Sequence, residues 1–158
     1  MPLTLADHFA LIEAELADLD ARPLSARQTK LVMVLLDKFA DRVFLARREQ
    51  HPDRVVEAGG RTIEDGIAWR DCLRQSCPAL GALFDACAIP PTATLETRAV
   101  EVPIADYPRL STADFMVSLY NGLTVQRVLL VSPDGETRLA REVIAEALAW
   151  WQVSGLIG

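Results

Sequence analysis

The sequence predicts an α+β fold, with a helical N-terminal half over residues 1–91 and a strand-containing half over 92–158 that closes with a long helix. Three observations predict it. Apolar residues recur at three- and four-residue steps through most of the first ninety positions, the period of one helix face. After Pro91 the pattern changes to alternation over 97–104 and then to the apolar-rich segment 125–131, which read as strands. From Leu139 the helical period returns. The competing architecture is an all-α bundle, because the stretch 111–131 also reads as helix throughout. A length of 158 residues suits one domain spanning 1–158.

The first helix opens at Thr4 with Asp7 three residues on, a capping-box spacing with a short acid. Phe9, Ile12, Leu16 and Leu19 form its stripe, and it runs to about Ala21. Arg22-Pro23-Leu24-Ser25 breaks it and starts the next, with Ser25 as N-cap and Gln28 placed to reach back to the cap amide. Val32, Leu35, Phe39, Val43 and Ala46 make the second stripe, widened by Leu31, Val34 and Leu36, so this helix is expected to be buried on more than one side. It ends near Gln50 with Arg47 and Arg48 at the negative end of its dipole. The two helices read as an antiparallel hairpin.

His51 to Gly60 reads as a connection. Thr62 with Asp65 marks a third helix carrying Ile63, Ile67, Trp69, Leu73 and Cys77, and Pro78 suits the first turn of a short fourth helix with Leu80, Leu83, Phe84 and Cys87. Thr97–Ile104 reads as an edge strand, since Pro103 has no N–H for a ladder.

The stretch 111–131 has three readings. Asn121-Gly122 fits a two-residue turn between two strands. Alternatively, Ser111 caps a helix with Asp114 at its third position, Gly122 ends it, and Val125–Val131 forms a strand parallel to the first. Or helix runs from Ser111 to Val131, against which Val125 and Val128–Val131 fall all around the wheel. Ser132-Pro133-Asp134-Gly135 reads as a turn that also supplies an N-cap and a first-turn proline to the last helix. That helix buries Leu139, Val143, Ile144, Ala147, Leu148 and Trp151, and Ser154-Gly155 stops it.

Composition narrows the function. A net charge of −6 argues against a general nucleic-acid binder. No apolar run approaches the roughly 18 residues of a membrane span, so no membrane partner is expected. The start, Met1-Pro2-Leu3-Thr4, lacks the basic and apolar regions of a secretory signal, and three cysteines fit reduced thiols; a cytoplasmic location is the expectation. With the 8 Gly counted and the 2 Tyr left out, the apolar share rises from 51% to about 55%, against about 45–50% in typical soluble domains. That surplus predicts a homodimer.

Reactive residues are scattered. Cys72, Cys77 and Cys87 lack the spacing of a zinc site, so no metal ligands are assigned and buried packing is the expected role. Cys77 is the candidate reactive thiol, because Pro78 places it near a helix start, where the dipole lowers a thiol pKa. His51-Pro52-Asp53 resembles a general-base pair with no nucleophile beside it, and His8 is expected on an exposed face. Glu64, Asp65 and Asp71 read as a solvated face, and Gly59-Gly60-Arg61-Thr62 as a turn lacking the lysine of a phosphate loop. Arg42, Arg47, Arg48 and Arg54 form a basic cluster that either pairs with the acidic first helix of a neighbour or solubilises a helix end. No catalytic residue, no cofactor and no known family's motif is legible. The first expectation is a non-catalytic interaction or regulatory protein acting as a homodimer. The second is a small-molecule-binding protein or enzyme with a pocket between the helical half and the sheet, using Trp69, Tyr107, Tyr120 and His51 as ligand-binding residues.

Overall fold

The computed structural model describes residues 2–50, 56–58, 61–63, 65–102, 104–120 and 124–157; for 56–58, 61, 62, 104, 107 and 117–120 it describes the backbone alone. The fold is α+β, with four helices in the N-terminal half and a three-stranded antiparallel sheet followed by a long helix in the C-terminal half. The sheet excludes the all-α bundle.

Helix α1 (Leu5–Ala21) begins on the expected capping box: Asp7 N–H donates to Thr4 Oγ1 at 3.1 Å, and Thr4 N–H donates to the Asp7 carboxylate at 2.8 Å. Helix α2 (Ala26–Gln50) starts on Ser25, whose Oγ accepts from Gln28 N–H at 3.1 Å. The Gln28 side chain does not turn back to the cap. It is buried and donates to Glu15 across the hairpin, to the carbonyl at 2.9 Å and the carboxylate at 2.8 Å. Burial makes that bond the better choice, since a buried amide left unpaired costs more than an exposed cap bond returns.

Helix α2 is the central element. Val32, Met33, Leu36, Phe39, Ala40 and Val43 are fully enclosed between α1, α3 (Gly66–Ser76), α4 (Pro78–Cys87) and α6 (Ala140–Val153). Phe39 lies between Phe9, with ring centroids 5.7 Å apart, and Trp151, edge-on at 5.1 Å. Such pairs add about 0.5–1.5 kcal/mol each beyond area burial. The second stripe is rotated from the expected one: Leu31 is exposed and Leu35 half-buried, because the helix buries Met33, Ala40 and Phe44 against α3 and α4.

Two short strands, β1 (Val56–Ala58) and β2 (Arg61–Ile63), pair antiparallel where a plain connection was expected. Thr62 therefore lies in a strand, and the cap of α3 is Asp65, whose carboxylate accepts from Ala68 N–H at 2.8 Å. Pro78 opens α4 as expected, with Cys77 ending one helix and starting the next.

The main sheet has the order β3-β4-β5, with β3 Thr94–Glu101, β4 Thr124–Val131 and β5 Thr137–Leu139. β3 begins three residues earlier than expected and ends before Pro103. A 3₁₀ helix (Ile104–Arg109) and helix α5 (Thr112–Tyr120) follow. The helix-then-strand reading of 111–131 is thus the observed one, with Asn121 and Gly122 outside the described residues and with a correction: β4 runs antiparallel to β3, Glu101 facing Thr124 and Thr94 facing Val131. The excursion through α5 returns to the same end of the sheet, and a parallel partner needs a crossover to the other end.

The turn after β4 also departs from expectation. Gly135 N–H donates to Ser132 O at 2.9 Å and Ser132 N–H to Glu136 O at 2.8 Å, with Gly135 at φ 86°. This is a type I turn with a left-handed glycine, for which Pro-Asp-Gly is suited at each position. It joins β4 to β5, so Pro133 serves the hairpin and α6 starts only at Ala140. The α6 face is as expected from Val143 onward, but Leu139 belongs to β5 and is half-buried, with Ala140 buried in its place; Leu130 of β4 joins Val143, Ile144, Ala147 and Trp151 in the same core as α2.

Candidate functional site

Three groupings of chemistry-bearing side chains stand out among the described residues. The first is a charged network inside the helical half. Asp37, a buried acid of α2, accepts from Arg70 of α3 at 2.7 Å, and Asp41 takes the other side of the same guanidinium at 3.0 and 3.2 Å. Arg70 also donates to the Asp37 carbonyl at 3.2 Å and lies over the Phe84 ring at 4.6 Å. Burial works to lower the Arg70 pKa, but the hydrogen bonds it donates to both carboxylates, with their charges, outweigh that and hold the pKa above its ordinary value. Nearby, Lys30 Nζ donates to the Ala86 carbonyl. Burial, with the Asp37 charge second, pushes the Cys87 thiol up to about 11. These bonds join α2 to α3 through Arg70 and α2 to α4 through Lys30, so the network fastens these three helices.

The second is a cleft between the helical half and the sheet, of about 260 Å³. Its walls carry two Arg–carboxylate forks. Arg127 of β4 holds Asp114 of α5 at 2.9 and 3.3 Å, and Arg141 of α6 holds Asp20 of α1 at 2.8 and 3.2 Å. Leu19, Val128 and Leu139 supply the apolar floor. Ser111 Oγ accepts from Asp114 N–H at 3.1 Å, as the cap reading expects, while the Asp114 carboxylate turns to Arg127. A floor of this kind with convergent polar groups is the make-up of a small-ligand site.

The third is the outer edge of β3. No described strand pairs with it on the side away from β4. Thr97, Arg98 and Ala99 are exposed in succession, and successive strand residues point to opposite faces, so neither face is covered there. Glu96 and Arg98, two apart on one face, form an ion pair. Across the ladder Arg98 faces Arg127, a like-charge pair whose members are drawn apart by Glu96 and Asp114 respectively.

The residues singled out in the sequence do not assemble with these. Trp69 is in the core, stacked on Phe44 at 5.9 Å, and its Nε1–H is used by the Ala40 carbonyl at 2.8 Å. The backbone of Tyr107 lies in the 3₁₀ helix and that of Tyr120 ends α5; their side chains, and all of His51, Asp53, Arg54, Gly59, Gly60 and Glu64, lie outside the described residues. Cys72 and Cys77 are buried and Cys87 half-buried, and none forms a disulfide. His8 is half-buried rather than exposed, 3.2 Å from Arg42. Arg48 lies over the Phe44 ring of its own helix. Asp65 caps α3 and Asp71 is exposed. Among the described residues no three His, Cys, Asp or Glu converge on a point that a metal ion could fill.

A cleft does lie between the helical half and the sheet, where a pocket was expected, but its charged lining was not foreseen because the partners are remote: Arg141 and Asp20 are 121 positions apart. The β3 charges were within reach, since an i,i+2 spacing on an alternating segment puts both on one face. Among the described residues the large apolar side chains left exposed are spread over several elements, including Leu11 of α1, Ile67 of α3 and Val153 of α6; Leu3 and Leu45 line one shallow pocket, and Phe115 and Met116 are adjacent in α5. Exposed apolar residues spread singly are normal. No family of known proteins, no curated protein and no solved structure matches this chain. No described helix is long and apolar enough to cross a membrane.

Proposed function

We propose that the chain is a non-catalytic interaction protein that acts as a homodimer. The observation that carries this reading is the open β3 edge: eight residues paired to β4 on one side, with no described strand on the other, and uncovered on both faces at the middle. Main-chain N–H and C=O groups along such an edge bind a further strand. Sedimentation equilibrium of the full chain from micromolar to millimolar concentration tests it. A reversible monomer–dimer equilibrium is expected, and a monomer over the whole range refutes it.

A second reading rests on the cleft. Two guanidinium–carboxylate forks over an apolar floor suit a small zwitterion that exchanges its own charges for theirs. Calorimetric titration with a panel of amino acids, carboxylates and amines tests this. The reading requires saturable heat that Arg127→Ala abolishes; a flat panel removes it.

A further inference from the structure

The order of charges along β3 says which partner its edge would take and in which register. The strand reads Thr94-Leu95-Glu96-Thr97-Arg98-Ala99-Val100-Glu101. Edge strands that must stay single carry charges of one sign, which repel any copy of themselves. This edge carries Glu96 and Arg98 symmetrically about Thr97, so it is its own complement.

We propose that two copies of the chain pair their β3 edges antiparallel about a two-fold axis through Thr97, forming one six-stranded sheet. The inference rests on the homodimer reading above and adds the surface and the register. Directly opposed residues in an antiparallel pair number symmetrically about the axis. Centring on Thr97 therefore sets Glu96 against the second copy's Arg98 and Arg98 against its Glu96. It also sets Leu95 against Ala99, Thr94 against Val100 and Thr97 against itself. Shifting the axis by one residue, to Arg98, places the two arginines face to face, and like charges directly opposed destabilise a ladder.

The rest of the sheet favours the Thr97 register. Arg98 already faces Arg127 on its inner side, and its carboxylate partner among the described residues, Glu96, lies along its own strand. A second copy's Glu96 on the outer side gives Arg98 a second carboxylate. Across the joint the two copies then alternate in sign, Glu96 and Arg98 over Arg98 and Glu96, so each of these charges faces an opposite one in the second copy. The exposed run Thr97–Ala99 leaves both faces of the joint clear of other elements.

Charge reversal tests the register. Glu96→Arg and Arg98→Glu each replace two attractive contacts by two repulsive ones, and each is expected to raise the dimer dissociation constant roughly ten- to a hundredfold. An equimolar mixture of the two variants restores attraction in the heterodimer alone, so sedimentation equilibrium is expected to recover a dimer of one copy of each. The double variant Glu96→Arg/Arg98→Glu is expected to dimerise like the natural chain. Both sites are on the strand surface, and Arg98→Glu sets a carboxylate opposite Arg127, which supports the monomer fold; circular dichroism checks it. If the natural chain dimerises and the single variants dimerise as well, or their mixture stays monomeric, the register is overturned while the homodimer reading stands. If the natural chain is monomeric throughout, both fall.

Discussion

Removing the Asp37 carboxylate tests how the helical half is fastened. Its side chain is 9% exposed, and its partner Arg70 is 28% exposed at 2.7 Å. Breaking a fully buried pair from one side costs about 3–5 kcal/mol. Here the stranded cation keeps Asp41, keeps its stack on Phe84 and reaches some solvent, so Asp37→Ala is expected to cost about 2 kcal/mol. Arg70→Ala strands the acid instead, which is the more buried of the two, and also loses the contact with the ring. It is expected to cost about 3–4 kcal/mol. Asp41 is 45% exposed, and Asp41→Ala should cost less than about 1 kcal/mol. Urea unfolding with an unchanged denaturant slope reads all three. The order Arg70 above Asp37 above Asp41 is the prediction; an Asp41→Ala variant as unstable as Asp37→Ala refutes the assignment of the energy to the buried pair.

Three further outcomes follow from single sites. Gly135→Ala forces a side chain into φ 86° with nothing crowding it, so the cost should be backbone strain of about 1 kcal/mol, with Gly135→Asn costing less in the same thermal melts. Burial raises the Cys87 pKa from 9.0 to about 11, so its contribution to stability is complete below pH 9 and is lost as pH rises toward 11; stability should fall across that window, and Asp37→Ala should shift the Cys87 alkylation midpoint downward. The Trp151 indole N–H has no partner among the described residues, whereas that of Trp69 is bonded to the Ala40 carbonyl, so Trp69→Phe, which gives up that bond, should cost about 1 kcal/mol more than Trp151→Phe; equal costs count against this bonding.

The helices were legible because their evidence is local. The Thr4–Asp7 box, the proline at 78 and the stripe of α6 each lie within a few residues of what they determine. The strands were harder where two local signals overlapped. Pro133 serves either a helix start or a type I turn, and the three residues of β5 are too short to alternate visibly. The Gly-Gly step between Ala58 and Arg61 is itself a hairpin signal, and passing over it hid β1 and β2. β4 was found as a strand but given the wrong direction, because direction depends on where the 22 residues after Glu101 return. The charged residues of the cleft were illegible for a similar reason: α1, α5, β4 and α6 bring its two ion pairs together, with Glu142 beside them, only after the halves pack.

The dimer account makes β3 the element whose environment changes with concentration. Amide hydrogen exchange, read by mass spectrometry on the peptide covering 94–101, follows that strand directly. At low concentration its outward-facing amides should exchange quickly while those bonded to β4 stay protected. At high concentration the outward amides should slow in step with the dimer fraction, with no change in α1 or α6. A dimer that forms while 94–101 exchanges at an unchanged rate contradicts the account.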